Sequence, residues 1–330
     1  MKVDVGALYA SAWRLAPRLP GPLLRGAANL GADVAWLRRG DGVRRLEANL
    51  ARVRPDLGPA QVRRLSRAGM RSYLRYFVEA FALSGASQEQ IAARVRTVDL
   101  EEVLKHTREG RSVVLALGHL GNWDLAGAWA TRAVAPVTTV AERLEPPEVF
   151  EEFLRFRRSI GLRILALGEG DVFRQLVRVV RGDEVGIVPL LADRDLTYKG
   201  VEVDLFGRRA RVAAGPAALS VATGCPLVTA IITYERLRAE RRRRAGTPWG
   251  IVVRFVPVEA APAGMTRADQ VKVLTQCWVD ALAAGIAASP QDWHMLQRVF
   301  VEDLDPQRYA ATRARAGEQG PAERAGTVGT

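Results

Sequence analysis

From residue 95 onward, short apolar runs alternate with amphipathic stretches. The runs are Ser112–Leu117, Val137–Val140, Leu162–Leu165, Val185–Leu191, Pro226–Thr233 and Ile251–Val256. Helical patterns lie between them near 124–133, 146–159, 171–181, 213–223 and 267–287. Strands covered on both faces read as continuous apolar runs, and strands alternating with helices build a mainly parallel sheet flanked by helices. The predicted class is therefore α/β, with the core over residues 96–305. Ligands of such sheets bind at the carboxyl ends of strands. The residues that follow each run are the first place to look for chemistry.

Residues 1–95 read as a helical region packed on that core. Trp13, Leu15, Leu19, Leu23, Leu24, Leu30, Val34 and Trp36 are interrupted by Pro17, Pro20, Gly21 and Pro22, which gives two helices and a break. A third helix ends before Pro55, and a fourth spans about Pro59–Leu83. The fourth carries Arg63, Arg64, Arg67, Arg71 and Arg75 on one side, either a solvated face or a contact for phosphate. Mixed Trp, Leu and Arg on the first helices suit a lipid interface as well as plain core cover. Arg236–Gly246 reads as an exposed loop and residues 306–330 as a disordered tail.

With 48 basic and 36 acidic residues the net charge is +12. Only Lys2, Lys105, Lys199 and Lys272 are lysines, so the excess is arginine spread along the whole chain. A nucleic-acid module would need a concentrated basic face with interleaved aromatics. The one dense run, Arg241–Arg244, has no aromatic neighbour in sequence, so no nucleic-acid partner is expected. The charge suits anionic lipid and phosphate-bearing substrates instead. Cys225 and Cys277 exclude a disulfide framework and read as core thiols. His106, His119 and His294 are the only histidines, and no spacing suits a metal site. No run approaches the roughly 18–20 apolar residues that cross a bilayer. The expectation is a protein of the cytoplasmic face of the plasma membrane, bound peripherally.

The first run is followed by Gly118-His-Leu-Gly-Asn-Trp-Asp124 and then an apolar helix. His119 therefore stands at a strand's carboxyl end. Asp124, at the helix start, could cap free N–H groups there. It could instead be folded back by the glycine turn onto the imidazole, fixing its tautomer and making the other nitrogen a better base. Asp193 follows another run, Val185–Leu191, and could face His119 across the strand ends. Both carboxylates are candidates for that partnership.

The block resembles the HX4D motif of glycerolipid-type acyltransferases, within them the lysophospholipid and lipid A late-acyltransferase family, and most narrowly its actinobacterial phosphatidylinositol mannoside branch. Further blocks agree in order: Val140-Ala-Glu-Arg-Leu144, Leu191-Ala-Asp-Arg-Asp-Leu196, Gly200–Gly207, Ala214–Ala217 with Thr223-Gly224, and Pro290–Gln297. The resemblance implies transfer of a fatty acyl group from acyl-CoA, a co-substrate rather than a bound cofactor, to a sugar hydroxyl of a membrane glycolipid. The favoured acceptor is a mannose of phosphatidylinositol mannoside; a lysophospholipid or a lipid A-like acceptor is the alternative. His119 would be the general base, with Asp124 and Asp193 in the catalytic group. Glu142 and Arg143 would meet the acceptor, and Arg157 and Arg194 the phosphate or pantetheine of the donor. The acidic residue of the family at position 193 is usually one methylene longer than this Asp.

Overall fold

The computed structural model describes residues 20–142, 147–167, 171–197, 199–307, 309–310 and 314. Eleven α-helices and nine strands occur among them. The first predicted helix, with Trp13, lies outside the described residues, as does nearly all of the predicted tail.

The amino-terminal part is helical: α1 (Gly21–Arg38), α2 (Asp41–Val53), α3 (Pro59–Leu83) and α4 (Gln88–Arg94). Leu46, Leu50, Val62 and Met70 bury an apolar stripe between α2 and α3. The arginines of α3 lie on a largely solvated face, but three of them are paired with carboxylates of neighbouring helices. Arg67 and Arg71 both bond Asp33 of α1, and Arg63 pairs with Glu47 of α2. Trp36 also turns inward. Its indole N–H donates to the Arg63 carbonyl at 3.1 Å, and the Arg63 guanidinium stacks 3.8 Å from its ring. The outer side of α1 exposes Leu23, Leu30 and Leu37 to 65%, 68% and 67%.

The core elements follow as β1 (Val95–Val98), α5 (Glu101–Arg108), β2 (Val113–Leu117), α6 (Trp123–Ala133), β3 (Thr138–Ala141) and α7 (Pro147–Ser159). Next come β4 (Arg163–Ala166), α8 (Val172–Arg181), β5 (Ile187–Leu191), the hairpin β6 (Val201–Leu205) and β7 (Arg208–Val212), and α9 (Gly215–Thr223). The chain continues through β8 (Leu227–Arg236), α10 (Ala239–Ala245), β9 (Trp249–Pro257) and α11 (Arg267–Ala288). The central sheet has the order β1-β9-β8-β2-β5, and only the β8–β9 pair is antiparallel. The parallel pair β3–β4 extends it through a bridge from Val137 to Ile187. The fold is α/β, as the alternation requires. All five residues of β2 are buried, which is why that strand reads as an unbroken apolar run.

Three local readings need correction. Arg236–Gly246 is not a loop: it contains α10, whose Ala245 packs with Leu237 and Ala93 while Arg244 reaches Glu89. Cys277 is exposed rather than a core thiol. Finally, α11 has 22 residues, and its most apolar 18-residue stretch has a mean hydropathy of 1.3, long and apolar enough to cross a membrane by composition. It packs on the sheet instead, burying Trp278, Leu282 and Ile286 completely or nearly so.

Candidate active site

Strands β2 and β5 are parallel neighbours, with Leu117 opposite Leu191 in register. Two residues beyond those partners stand His119 and Asp193, so the pairing itself brings them side by side at the carboxyl edge. The imidazole Nδ1–H donates to Asp193 Oδ1 at 2.6 Å. Asp193 Oδ2 accepts two further bonds at 2.9 Å each, from the His119 backbone N–H and from the indole N–H of Trp293. The carboxylate is thus buried and fully directed, and the Nδ1 proton leaves Nε2 as the basic nitrogen. The imidazole side chain is 40% exposed, against 3% for Asp193.

Burial works against a charged imidazole, but the Asp193 carboxylate outweighs it and lifts His119 above its ordinary 6.5. Arg194 opposes that lift and Glu142 adds slightly to it. Burial alone would raise Asp193; the charge and hydrogen bond of His119, then Trp293, hold it below its usual range.

Asp124 is elsewhere. Its Oδ2 accepts the Tyr76 hydroxyl at 2.7 Å and its Oδ1 accepts Arg157 Nε at 2.8 Å. It is not the helix cap either, because Asn122 takes that place, accepting the Leu125 N–H at 3.0 Å and donating to Glu79. Asp124 instead ties α6 to α3 and α7. Burial lowers the affinity of Arg157 for its proton, yet Asp124 more than compensates and drives it upward. Breaking a buried pair by removing one charge typically costs about 3–5 kcal/mol. Asp124→Asn is therefore expected to lower the unfolding midpoint in a thermal melt while leaving the pH midpoint of activity unmoved. A shifted pH midpoint would mean that Asp124 acts on His119 after all.

Backbone geometry explains why this turn needs its glycines. Gly121 has φ +65°, and a Cβ there would lie 2.4 Å from the Ile232 carbonyl oxygen. Its N–H donates to the Asp292 carbonyl, and the His294 N–H donates to the His119 carbonyl at 2.7 Å. The Trp293–His294 segment thereby clamps the His119 loop from far along the chain. Trp293 is fully buried. Burial, with the charges of His119 and Arg75, pushes His294 down to about 3, so it stays neutral and structural.

The remaining candidates divide. Glu142 follows β3 on the same edge and is exposed. Arg143 lies outside the described residues. Arg157 has its Nε committed to Asp124 and is only 16% exposed. Arg194 follows Asp193 and donates to the Arg298 carbonyl. Sequence reasoning missed Trp293 and Asn122 as parts of the site, although both lie in the quoted blocks; polar atoms in an apolar setting were the available signal.

Beside the His119 loop an apolar pocket enters between the sheet and α6. The volume open to the centre of a water-sized group is ≈ 70 Å³, within an envelope of ≈ 700 Å³ that takes in open solvent, and Leu115, Leu117, Trp129, Pro189, Ile232 and Phe255 are among its walls. Trp123 lines it too, with its ring edge-on to His119 at 5.6 Å between centroids.

Residues 4–302 match the model of the bacterial lipid A biosynthesis acyltransferases. The chain is 37% identical over 317 residues to a phosphatidylinositol mannoside acyltransferase of Mycolicibacterium smegmatis, covering 95% of both chains. It is likewise 37% identical to one from Mycobacterium tuberculosis (strain ATCC 25618 / H37Rv), covering 93% of this chain and 92% of that one. Matched along nearly its whole length, the chain belongs to the bacterial lipid A biosynthesis acyltransferase family.

Proposed function

We propose that the chain transfers a fatty acyl group from acyl-CoA to a sugar hydroxyl of a membrane glycolipid, with mannosylated phosphatidylinositol as acceptor. The carrying observation is the His119–Asp193 pair beside an apolar pocket. The names of the relatives support the acceptor class.

In this reading the acyl chain occupies the apolar pocket and its thioester carbonyl lies at the mouth, near Trp123 and His119. His119 Nε2 takes the proton of the sugar hydroxyl as its oxygen attacks the carbonyl carbon. The C–S bond then breaks, the ester forms, and the proton passes to the leaving thiolate. Asp193 keeps Nδ1 protonated and stabilises the imidazolium formed on the way. Glu142, exposed on the same edge, is placed in this scheme against acceptor hydroxyls. Arg194 serves the donor's phosphates; Arg157, held by Asp124, does not.

The acceptor's own chains stay in the bilayer, so the enzyme works at the cytoplasmic surface of the membrane. Support for that contact comes from the exposed leucines of α1 rather than from Trp36, which is turned inward. The test is a panel of acceptors with palmitoyl-CoA, following thiol release and the mass of the lipid product. Acylated phosphatidylinositol mannoside is expected. Equal or better transfer to a lysophospholipid or a lipid A precursor would replace the acceptor, and no thiol release with any of them would overturn the reaction.

A further inference from the structure

Of the hydrogen bonds that the Asp193 carboxylate accepts, two come from His119 itself: Nδ1–H at 2.6 Å and the backbone N–H at 2.9 Å. Both donors belong to the group that the carboxylate has to hold. They join the pair but leave the carboxylate free to twist with the imidazole about its own bonds at the end of β5. A third donor comes from elsewhere in the fold. The Trp293 indole N–H donates to Oδ2 at 2.9 Å, from 100 residues further along the chain.

Trp293 is itself held from several sides. It is fully buried and forms an isolated bridge with Leu120. The Asp292 carboxylate before it accepts the Ser72 hydroxyl of α3 at 2.8 Å and the Tyr234 N–H of β8 at 2.9 Å. Beyond it, the buried Asn49 of α2 donates to the carbonyls of Met295 and Gln297 at 2.8 and 2.9 Å. A second ring also rests on the indole. Phe206 lies 6.4 Å from it between centroids, with the planes at 60°. Phe206 and Gly207 join β6 to β7 with φ of +57° and +70°. Two successive left-handed residues make the hairpin turn that favours asparagine followed by glycine, so a phenylalanine in the first place is strained. Such strain persists where packing over-determines it, and Phe206 packs against the core cluster that contains Trp293.

We propose that Trp293 is a positioning residue for acyl transfer: it holds the Asp193 carboxylate so that Oδ1 meets the Nδ1–H of His119, and Phe206 buttresses its ring. The proposal rests on the acyl-transfer reading above. Trp293 meets no reacting atom, since it is fully buried and stands outside the walls of the apolar pocket. Its effect therefore falls on the turnover of bound substrate and not on binding. A hydrogen bond to an ionised group is stronger than one between neutral groups, and a carboxylate that has lost it leaves Nδ1 for part of the time. A base is only as well placed as the groups that fix its partner.

The test is Trp293→Phe in the whole chain, which keeps a ring and removes the N–H. Thiol release from palmitoyl-CoA is followed with phosphatidylinositol mannoside as acceptor. The expected result is a kcat lower by roughly 10–100-fold, with KM for either substrate within about twofold of wild type. A cycle with Asp193→Asn separates positioning from a general loss of structure. Adding Trp293→Phe to Asp193→Asn should bring no further loss, because the carboxylate it would position is gone. Losses that multiply, a raised KM with kcat unchanged, or wild-type kcat in Trp293→Phe each overturn the proposal. Phe206→Asn probes the same contact from the surface. Asparagine suits the left-handed turn, so the thermal midpoint is held or raised while kcat falls a few-fold, and that loss too should vanish on the Asp193→Asn background. If Trp293→Phe does not fold, Phe206→Asn decides alone, and wild-type kcat in it overturns the proposal. No thiol release by the wild-type chain sinks the acyl-transfer reading and the proposal together, whereas wild-type turnover with an indifferent Trp293→Phe sinks the positioning role alone.

Discussion

His119→Ala is expected to lower acyl transfer by roughly 10²–10⁴-fold, the worth of a positioned general base. Donor binding survives, because the apolar pocket is formed by β2, β5, β8, β9 and α6 rather than by the imidazole. The alanine variant leaves the Asp193 carboxylate buried without the group it faces, so some stability is lost with the activity. His119→Asn separates the two effects. Its amide can still donate to Asp193 but offers no basic nitrogen. Both variants are expected to lose activity alike, while the asparagine variant unfolds at the higher temperature. Acyl transfer under saturating donor, read beside a thermal melt, checks both. Activity within a few-fold of wild type in His119→Asn would remove the base from the mechanism.

Asp193→Asn has an effect of similar size for a different reason. Two N–H donors, His119 N and Trp293 Nε1, point at the Oδ2 position. They hold the amide oxygen of an introduced asparagine there, which turns its NH₂ toward Nδ1. Nδ1 must then accept, and the proton moves to Nε2, where it blocks the base. The expected loss is about 10²–10⁴-fold. The pH dependence shifts too. With Asp193 present, its charge outweighs burial and the histidine titrates above its ordinary 6.5, so activity climbs as pH rises through that raised value. Without the carboxylate, burial and Arg194 remain and disfavour the imidazolium, against only the smaller pull of Glu142. The acidic limb of the residual activity therefore moves to lower pH. A kcat/KM profile of Asp193→Asn with its limb unmoved would show that Asp193 does not act on His119.

These two substitutions bear on the part of the site that the sequence left open. His119 was legible because it follows a continuous apolar run and precedes a helix, and strand ends carry the ligands of α/β sheets. Its partner was narrowed to Asp124 and Asp193, and the choice between them stayed open. Asp124 is close in sequence, but the backbone turns at Gly121 and enters α6, carrying the carboxylate to Tyr76 and Arg157. Asp193 is 74 residues away, and its nearness depends on β5 being the parallel neighbour of β2. Nothing in the apolar runs states which strands are adjacent. Trp293, further still, is joined to the site by one indole N–H and a single bridge to Leu120.

The helical part shows the same division. The boundaries of α3, which begins at Pro59, follow from proline placement and apolar spacing. That Arg63, Arg67 and Arg71 pair with Glu47 and Asp33 required knowing where α1 and α2 lie. In α10 the run of charges hid a short helix, because its burial is confined to Ala245 and its anchors, Glu89 and Ala93, lie on distant elements.

The central claim is that His119, held by Asp193, is the base of acyl transfer. It is tested most directly by titrating the imidazole itself. The chain has three histidines, so the His119 ring can be assigned by comparison with a His119→Asn spectrum. Its NMR titration is then set beside the pH profile of kcat/KM measured in the same buffer. The account predicts one shared midpoint above 6.5, with the ring's midpoint falling in Asp193→Asn. A kcat/KM midpoint that does not coincide with the titration of His119 would contradict it.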